Sequence, residues 1–227
     1  MSRIRVNSIS LRRIVLIALF GALSYALMLL VHFRVGFLTL DLKDAIITLA
    51  GLYFGPSAAL ILSVLVPLIE MVSVSDTQIY GFIMNFLGSA SLSVTASLIY
   101  KYRKSFFGAI VGLCSGVAAM VATMMVFNLV VTPLYLGVAV AEVQAMIPTL
   151  LLPFNAVKGV FNASLVLLFY KPISGVMQRA GVLPRSEHPF RMDLRTVAVS
   201  VCALLLVAAS LVVIFYVLGG GFSFGME

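Results

Sequence analysis

The chain alternates between long apolar runs and short polar breaks. The apolar runs cover residues 11–31, 43–55, 57–72, 80–100, 106–132, 146–177 and 196–218. A helix needs about 20 residues to cross the hydrocarbon core of a bilayer, and most of these runs are that long. The second and third runs are shorter, and between them lies Gly55-Pro56, a dipeptide that ends a helix and favours a tight reversal. We predict two short or tilted helices joined by a hairpin there.

The composition supports a membrane protein. Of the 227 residues, 62% are hydrophobic and only 10% are charged, and the mean hydropathy is +1.16. A soluble domain carries roughly a quarter charged residues. The first apolar run is too long, and too poor in a cleavage site, to be only a signal peptide. We therefore predict an all-α integral membrane protein.

The basic residues predict the orientation, because cytoplasmic loops are enriched in Lys and Arg. With the N-terminus inside, twelve of the fifteen basic residues are cytoplasmic. They are Arg3, Arg5, Arg12, Arg13, Lys101, Arg103, Lys104, Lys171, Arg179, Arg185, Arg191 and Arg195. The C-terminal GGGFSFGME is then extracellular. Because the basic residues cluster at the ends of apolar runs, the net charge of +7 does not indicate a nucleic-acid partner.

One clear polar linker divides the chain. Residues 178–195 separate a six-helix membrane domain, 1–177, from an additional transmembrane helix, 196–218, and we expect the linker to be cytoplasmic. No convincing internal repeat is visible, so the inverted-repeat architecture of many secondary transporters has no support.

The strongest candidate site lies in 153-PFNAVKGVFN-162. Asn155, Lys158 and Asn162 are spaced by three and four, which places them on one helical face. Polar groups inside a membrane segment usually face a cavity or a partner, and amides with an ammonium group can bind a polar ligand. The alternative is structural: Lys158 snorkels outward or pairs with an acid such as Glu142 to hold the fold.

Two further stretches fall on the same predicted side of the membrane. In 127-FNLVVTPLYLG-137, Asn128 lies near the exit of a helix that Pro133 should end, and a cap with an interfacial aromatic residue is the alternative to a ligand contact. The loop 36-GFLTLDLKDAI-46 enters a helix, which Asp41 or Asp44 should cap. This loop also offers backbone groups to a ligand.

Three other features keep two interpretations each. Glu70 and Asn85 are intramembrane polar residues that either face a cavity or hold helices together. Ala18, Ala22 and Ala26 form a stripe of small residues that serves packing within the monomer or docking of another membrane subunit.

No enzyme signature is present in the sequence. There is no H-E-x-x-H and no nucleotide-binding Walker A loop, and 112-GLCSG-116 misses the spacing of a serine-nucleophile turn. Cys114 and Cys202 lie in apolar runs and are expected to be small buried hydrophobes, without metal-binding spacing. We predict that the chain is not an enzyme and holds no metal or cofactor.

The quoted stretches resemble a known family. The pieces 37-FLTLDLKDAIITLAGLYFGPSAA-59, 81-GFIMNFLG-88, 127-FNLVVTPLYLG-137 and 152-LPFNAVKG-159 occur in family order across residues 11–177. They are similar to the substrate-binding membrane subunits (S components) of energy-coupling factor (ECF) vitamin transporters, and most similar to the riboflavin-specific branch. The additional helix 196–218 departs from the six-helix pattern of that family.

The resemblance implies a six-helix bundle with a vitamin pocket near the outer face. It implies that Asn155, Lys158 and Asn128 contact the ligand, and that the loop residues Leu38, Thr39 and Leu40 line and close the pocket. To these we add Asn85 and Asn162 as candidate ligand-binding residues because of their own polarity. The resemblance assigns Ala18, Ala22 and Ala26 to docking of the coupling subunit.

The implied function is riboflavin uptake across a prokaryotic cell membrane. The partners would be a transmembrane coupling subunit (T component) and two ATPase subunits. A flavin has an apolar dimethylbenzene edge and a polar pyrimidine edge, which suit an apolar pocket with a few placed amide and ammonium groups. FMN or another vitamin as ligand, a stand-alone permease and an intramembrane enzyme are the alternatives. A phosphate would need more positive charge than Arg34 and Lys43 supply on the outer side.

Overall fold

The structure is a computed structural model that describes residues 8–183 and 194–223. It is a helical bundle with a small β-sheet at one end. The helices are α1 (Ser8–Leu30), α2 (Lys43–Phe54), α3 (Pro56–Ser73), α4 (Gln78–Tyr102), α5 (Phe106–Leu136), α6 (Val140–Met146), α7 (Leu152–Arg179) and α8 (Leu194–Val212). Five-residue π-helical turns follow α6 (Ile147–Leu151) and α8 (Val213–Val217). The strands are β1 (His32–Val35), β2 (Leu38–Asp41) and β3 (Gly221–Ser223).

Six stretches of the described residues are long and apolar enough to cross a membrane. They are Leu11–Leu30, Pro56–Ser73, Gln78–Tyr102, Phe106–Leu136, Val140–Arg179 and Val197–Val217. These stretches confirm the predicted class, an all-α membrane protein with an added helix after the main bundle. The linker between that helix and the bundle falls largely outside the described residues, since α7 ends at Arg179 and α8 begins at Leu194.

The predicted hairpin of two short helices is confirmed at Gly55-Pro56. Gly55 ends α2 with a φ of 95°, in the left-handed region that favours glycine, and Pro56 opens α3. At 12 residues α2 is only about 18 Å long. Nearly all of its residues are buried, including Lys43 and Asp44 at its start. A helix surrounded on all sides by protein can carry charges there that lipid would not tolerate.

The sheet was not predicted from the sequence. β1 is the central strand, and the order is β2-β1-β3 with both pairs antiparallel. The hairpin β1–β2 turns at Gly36, whose φ is 57°. The third strand, Gly221–Ser223, comes from the segment after α8, so it pairs with a hairpin that follows α1.

Close packing of α4 against α5 depends on glycines of α5. A Cβ atom at Gly116 would lie 2.6 Å from the carbonyl oxygen of Leu92, and one at Gly112 would lie 2.7 Å from that of Ala96. Without these methyl groups the two helix backbones approach each other directly, as small residues allow in membrane bundles.

One sequence prediction about a helix end was wrong. Pro133 does not end α5 but lies inside it, and the helix is capped at Gly137, which has a φ of 68°. The membrane-spanning stretch that contains α7 is longer than the apolar run 146–177, because α6 and the π-helical turn extend it back to Val140.

Cys114 and Cys202 are exposed on the outside of the bundle, contrary to the expected burial. In a membrane protein an apolar surface faces lipid, so hydrophobicity alone does not predict burial.

Candidate functional site

The candidate site is a cavity of about 560 Å³ at one end of the bundle. Its walls come from the end of α1, the β1–β2 hairpin, the end of α3, the start of α4, the end of α5 and the start of α7. It collects six of the eight predicted ligand-binding residues. These are Leu38, Thr39, Asn85, Asn128, Asn155 and Lys158.

One wall of the cavity is backbone and aromatic. Residues 36–39 of the hairpin line it directly. Tyr135 lies between Phe37, with ring centroids 6.3 Å apart, and Tyr80, with centroids 6.0 Å apart. The three rings bring the hairpin, α4 and α5 together beside the cavity, and they offer flat surfaces to a ring-shaped ligand.

A second wall is rich in methionine. Met28, Met84, Met120 and Met124 line the cavity from α1, α4 and α5, together with Phe154 of α7. Methionine side chains are polarizable and adapt to irregular shapes, and they make favourable contacts with aromatic rings. This wall can take the apolar part of a ligand.

Lys158 joins α7 to the hairpin and to α2. Its Nζ atom donates to the carbonyl oxygen of Thr39 at 3.0 Å and to Asp41 Oδ2 at 3.2 Å, and it lies 3.9 Å from Asp44 Oδ2. The residue is 7% exposed and still lines the cavity. Lys158 therefore pairs with acids, as the structural alternative predicted. Its partners are Asp41 and Asp44 rather than Glu142, which is exposed on α6.

Lys43 forms the second half of the same network. Its Nζ atom lies 2.7 Å from Glu70 Oε2 and 3.3 Å from Asp41 Oδ2. Asn85 Nδ2 donates to the other oxygen of Glu70 at 3.1 Å. Glu70 and Asn85 thus bond to each other between α3 and α4, and both also line the cavity. Both interpretations left open for Glu70 and Asn85 therefore apply, because the two residues face a cavity and also link two helices.

Asp41 is the centre of this network. Burial of the carboxyl group by itself raises its pKa, but the charges of Lys158 and Lys43 and their hydrogen bonds outweigh burial, so the pKa of Asp41 lies below its usual value. Asp41 also accepts from the backbone N–H of Lys43 through Oδ1 at 3.1 Å. It thereby satisfies one of the free amides at the start of α2, as the sequence predicted for one of the two aspartates.

The other aspartate is bound differently. Asp44 accepts a hydrogen bond from Ser89 Oγ of α4 and lines the cavity. Three carboxylates, Asp41, Asp44 and Glu70, therefore lie near two ammonium groups, those of Lys43 and Lys158, in and behind the cavity wall. A buried cluster of this kind is stable only with good geometry and full hydrogen bonding.

The amides of Asn128 and Asn155 are held by their own helices. Asn128 Nδ2 donates to the carbonyl oxygen of Met124 at 2.7 Å and its Oδ1 accepts from Thr132 at 2.8 Å. Asn155 Nδ2 donates to the carbonyl oxygen of Leu151, in the π-helical turn, at 2.7 Å. Both side chains are 1% exposed. They are fixed in place on the cavity wall, as residues that position a ligand should be.

Asn162 and Leu40, the remaining two candidates, are fully buried and do not line the cavity. Asn162 Oδ1 accepts from the backbone N–H of Ala45 at 2.9 Å, and its Nδ2 donates to the carbonyl oxygens of Asp41 and Lys158, each at 3.1 Å. Its amide is occupied in joining α7 to the start of α2. The shared face predicted for Asn155, Lys158 and Asn162 therefore continues from the cavity into the protein interior.

Sequence reasoning gave no ligand-binding role to several other polar residues on the cavity wall. Among them are His32, Arg34, Asp44 and Asp76. Arg34 and Asp76 lie 3.4 Å apart and are well exposed, so they form a pair at the mouth. An isolated intramembrane charge such as Lys158 is a visible signal in a sequence. By contrast, His32 and Arg34 lie in the short strand β1, Asp44 lies at the start of α2 and Asp76 lies in a turn, where polar residues are ordinary.

A second cavity of about 440 Å³ lies at the opposite end of the bundle. Its basic lining residues are Arg12, Arg13, Lys101 and Lys104. Arg12 donates to the carbonyl oxygens of Ala180 and Gly181, and Arg13 donates to that of Phe54. None of the predicted ligand-binding residues lines this second cavity.

The stripe of Ala18, Ala22 and Ala26 is exposed on the outer face of α1. Leu19 and Leu23 beside it are 62% and 45% exposed. Packing within the monomer therefore does not explain the small residues, and the face is free to meet lipid or another membrane helix.

Comparison with known proteins identifies the family of the chain. The family model for the ECF transporter, substrate-specific component, matches residues 12–170. The riboflavin transporter RibU of Staphylococcus aureus (strain TCH60) is 28% identical over 187 residues, covering 78% of this chain and 98% of the relative. A solved structure described as the S component of a bacterial ECF transporter superposes with a TM-score of 0.64 at 27% identity, covering 74% of this chain and 98% of that one. The chain described here therefore belongs to the family of substrate-specific S components of ECF transporters.

Proposed function

We propose that this S component binds riboflavin in the 560 Å³ cavity and delivers it into the cell. The proposal rests on the lining of the cavity taken together with the similarity of the chain to a riboflavin transporter. Six predicted ligand-binding residues meet in one cavity, and a riboflavin transporter is similar to this chain over 98% of its own length. The volume falls within the usual range for small-molecule sites.

The two sides of the cavity suit the two edges of a flavin. The methionine wall and Phe154 would hold the dimethylbenzene edge. Asn128, Asn155 and Lys158 would meet the pyrimidine edge or the ribityl hydroxyls, together with the backbone of the hairpin near Thr39. Each of these groups is already fixed by a hydrogen bond to the protein, so little ordering is needed on binding.

The charge distribution supports an outward-facing cavity. Arg12, Lys101, Lys104 and Arg179 lie at the end of the bundle away from the cavity. Cytoplasmic ends of membrane proteins are rich in basic residues. We propose that this end is cytoplasmic, that the N-terminus lies inside, and that the cavity and β3 lie outside.

The family implies further subunits. An S component is one part of an ECF transporter, and we propose a transmembrane T component and two ATPase subunits as partners, with Ala18, Ala22 and Ala26 meeting the T component. The chain would then perform no bond chemistry and need no cofactor of its own.

Purification without partners tests the proposal. The chain is expressed alone, isolated in detergent and titrated into riboflavin, and the flavin fluorescence is recorded. We expect quenching that saturates at one ligand per chain, and mass spectrometry of any ligand released from a yellow preparation should identify riboflavin. A protein that is colourless and fails to quench added riboflavin would overturn the ligand while leaving the family intact.

A further inference from the structure

The C-terminal segment beyond the family match contacts the hairpin of the candidate site. The family model ends at residue 170, whereas α8 begins at Leu194. β3 follows α8 and pairs with β1, in the register Phe33 to Phe222 and Arg34 to Gly221. The segment therefore reaches the one wall of the cavity that is built from a hairpin rather than from helices.

Side chains reinforce this pairing. The ring of Phe33 in β1 packs edge-to-face on Phe215, in the π-helical turn after α8, with centroids 5.5 Å apart and planes at 88°. Phe33 also packs edge-to-face on Phe161 of α7, with centroids 6.5 Å apart. Edge-to-face ring pairs contribute about 0.5–1.5 kcal/mol beyond their buried area. Phe33 is thus clamped between the added helix and the main bundle.

The turn into β3 is built to approach the hairpin closely. Gly219 has a φ of 64°, and Gly220 donates its N–H to the carbonyl oxygen of Ile214 at 2.8 Å. A Cβ atom at Gly220 would lie 2.8 Å from Ile214 Cγ2 and 3.0 Å from Val35 Cγ2. Ile214 is completely buried and Val35 is 2% exposed. Most of α8 faces outward, and these buried contacts join its end to the hairpin.

Because β1 is the central strand, pairing with β3 stabilises the β1–β2 hairpin. A two-stranded hairpin by itself is marginally stable in water, and a third strand supplies partners to the free edge of β1. On the cavity side the hairpin is held by Lys158, which bonds to the Thr39 carbonyl. The hairpin is therefore anchored twice, by α7 through β2 and by the C-terminal segment through β1.

We infer that the segment formed by the π-helical turn Val213–Val217 and β3 is a positioning element for the ligand site, which holds the β1–β2 hairpin against the cavity and slows ligand release. Phe215 is the positioning residue, because its ring contacts Phe33 and it does not line the cavity. The inference rests on the proposed function for its ligand. Its structural half, that the segment restrains the hairpin, does not depend on which ligand binds.

The first test uses the full chain, Phe215→Ala and a variant that lacks residues 219–227. Riboflavin release is followed by the recovery of flavin fluorescence after dilution or competition. We expect dissociation to accelerate about fivefold or more, with association changed less than about twofold, since interface changes act mainly on off-rates. Phe215→Tyr keeps the ring and should retain the slow release.

The matched control is Tyr216→Ala, which removes a neighbouring ring that is 86% exposed. It should leave the dissociation rate unchanged. A purely structural role for Phe215 would instead lower the melting temperature of the ligand-free protein without changing the off-rate of the folded fraction. Unchanged dissociation in both Phe215→Ala and the variant without residues 219–227 would overturn the inference.

A second measurement needs no ligand. Amide hydrogen exchange of residues 32–41 is compared between the ligand-free full chain and the variant without residues 219–227. We expect faster exchange in the hairpin and unchanged exchange in α4 and α5. If the full chain does not bind riboflavin but the hairpin exchanges faster, the proposed ligand is wrong and the positioning role stands. Unchanged exchange in the hairpin would overturn the positioning role itself.

Discussion

The Nζ atom of Lys158 lies 3.0 Å from the carbonyl oxygen of Thr39, so a charged side chain of α7 holds the cavity-lining hairpin by its backbone. The same atom bonds to Asp41 Oδ2 at 3.2 Å. Lys158 is therefore both a candidate ligand contact and an anchor of the site. Experiments on this residue must separate the two roles.

Replacing Lys158 with methionine should destabilise the protein and abolish riboflavin binding. The change leaves the buried carboxylates of Asp41 and Asp44 with less countercharge, and removing one partner of a buried ion pair costs about 3–5 kcal/mol. Thermal unfolding in detergent measures the stability, and fluorescence quenching measures the binding. Lys104→Met, at an exposed lysine of the opposite end, should change neither.

A double variant separates anchoring from ligand contact. Lys158→Met with Asp41→Asn removes both partners, so much of the lost stability should return while binding stays weak. Recovery of wild-type riboflavin affinity in this double variant would show that Lys158 serves only as an anchor.

Asn155→Ala should mainly weaken riboflavin binding, whereas Asn162→Ala should mainly lower the stability of the protein. Asn155 lines the cavity, and its loss should raise the Kd for riboflavin about tenfold, which corresponds to one hydrogen bond. Asn162 lies behind the cavity, and its loss leaves the buried N–H of Ala45 without an acceptor, which should cost about 1–3 kcal/mol of stability. Paired Kd and melting measurements check this, and wild-type affinity in Asn155→Ala would remove it from the site.

Ala22→Phe should block transport without weakening riboflavin binding. The residue is exposed on α1, so a large ring does not disturb the bundle but prevents close approach of a partner helix. Uptake by cells that contain the complete transporter and quenching by the isolated chain are the two measurements. Leu205→Phe, on the exposed face of α8, is the control and should transport normally. Normal uptake by Ala22→Phe would place the docking surface elsewhere.

Riboflavin should bind at least about 100-fold more tightly than FMN, since an unpaired buried charge is costly. The cations that line the cavity in the described residues are already paired: Arg34 with Asp76, and Lys158 with Asp41 and Asp44. A phosphate would also meet the carboxylate of Glu70. Competition titrations with the two flavins measure the ratio, and equal affinities would show that the cavity does not discriminate against the phosphate.

Gly116→Ala should destabilise the bundle by about 1–3 kcal/mol, because the new methyl group cannot fit without a backbone shift. It would lie 2.6 Å from the carbonyl oxygen of Leu92 on α4. Gly175→Ala, in α7, has open space around the new Cβ and should be neutral or slightly stabilising. Unfolding of both variants in the same detergent tests the difference. An unchanged melting temperature for Gly116→Ala would show that α4 and α5 can shift apart to fit the methyl group at little cost in stability.

The sequence by itself determined the membrane class, the break at Gly55-Pro56 and the polar positions worth testing. These are local properties. The length of an apolar run is set by the thickness of a bilayer, Gly-Pro has intrinsic backbone preferences, and a lysine inside an apolar run is visible without any fold. The residues 155 and 158 could therefore be named before their surroundings were known.

Only the tertiary structure decided what those residues contact. Lys158 pairs with Asp41, 117 positions away in the chain, rather than with nearby Glu142. Asn162 shares a helical face with Lys158 but lies in the interior, because the start of α2 covers that part of the face. The sheet joins a hairpin after α1 to the last described residues of the chain. Such contacts depend on how helices pack and strands pair across long separations, and a one-dimensional pattern of polar and apolar residues carries no distance between its distant parts.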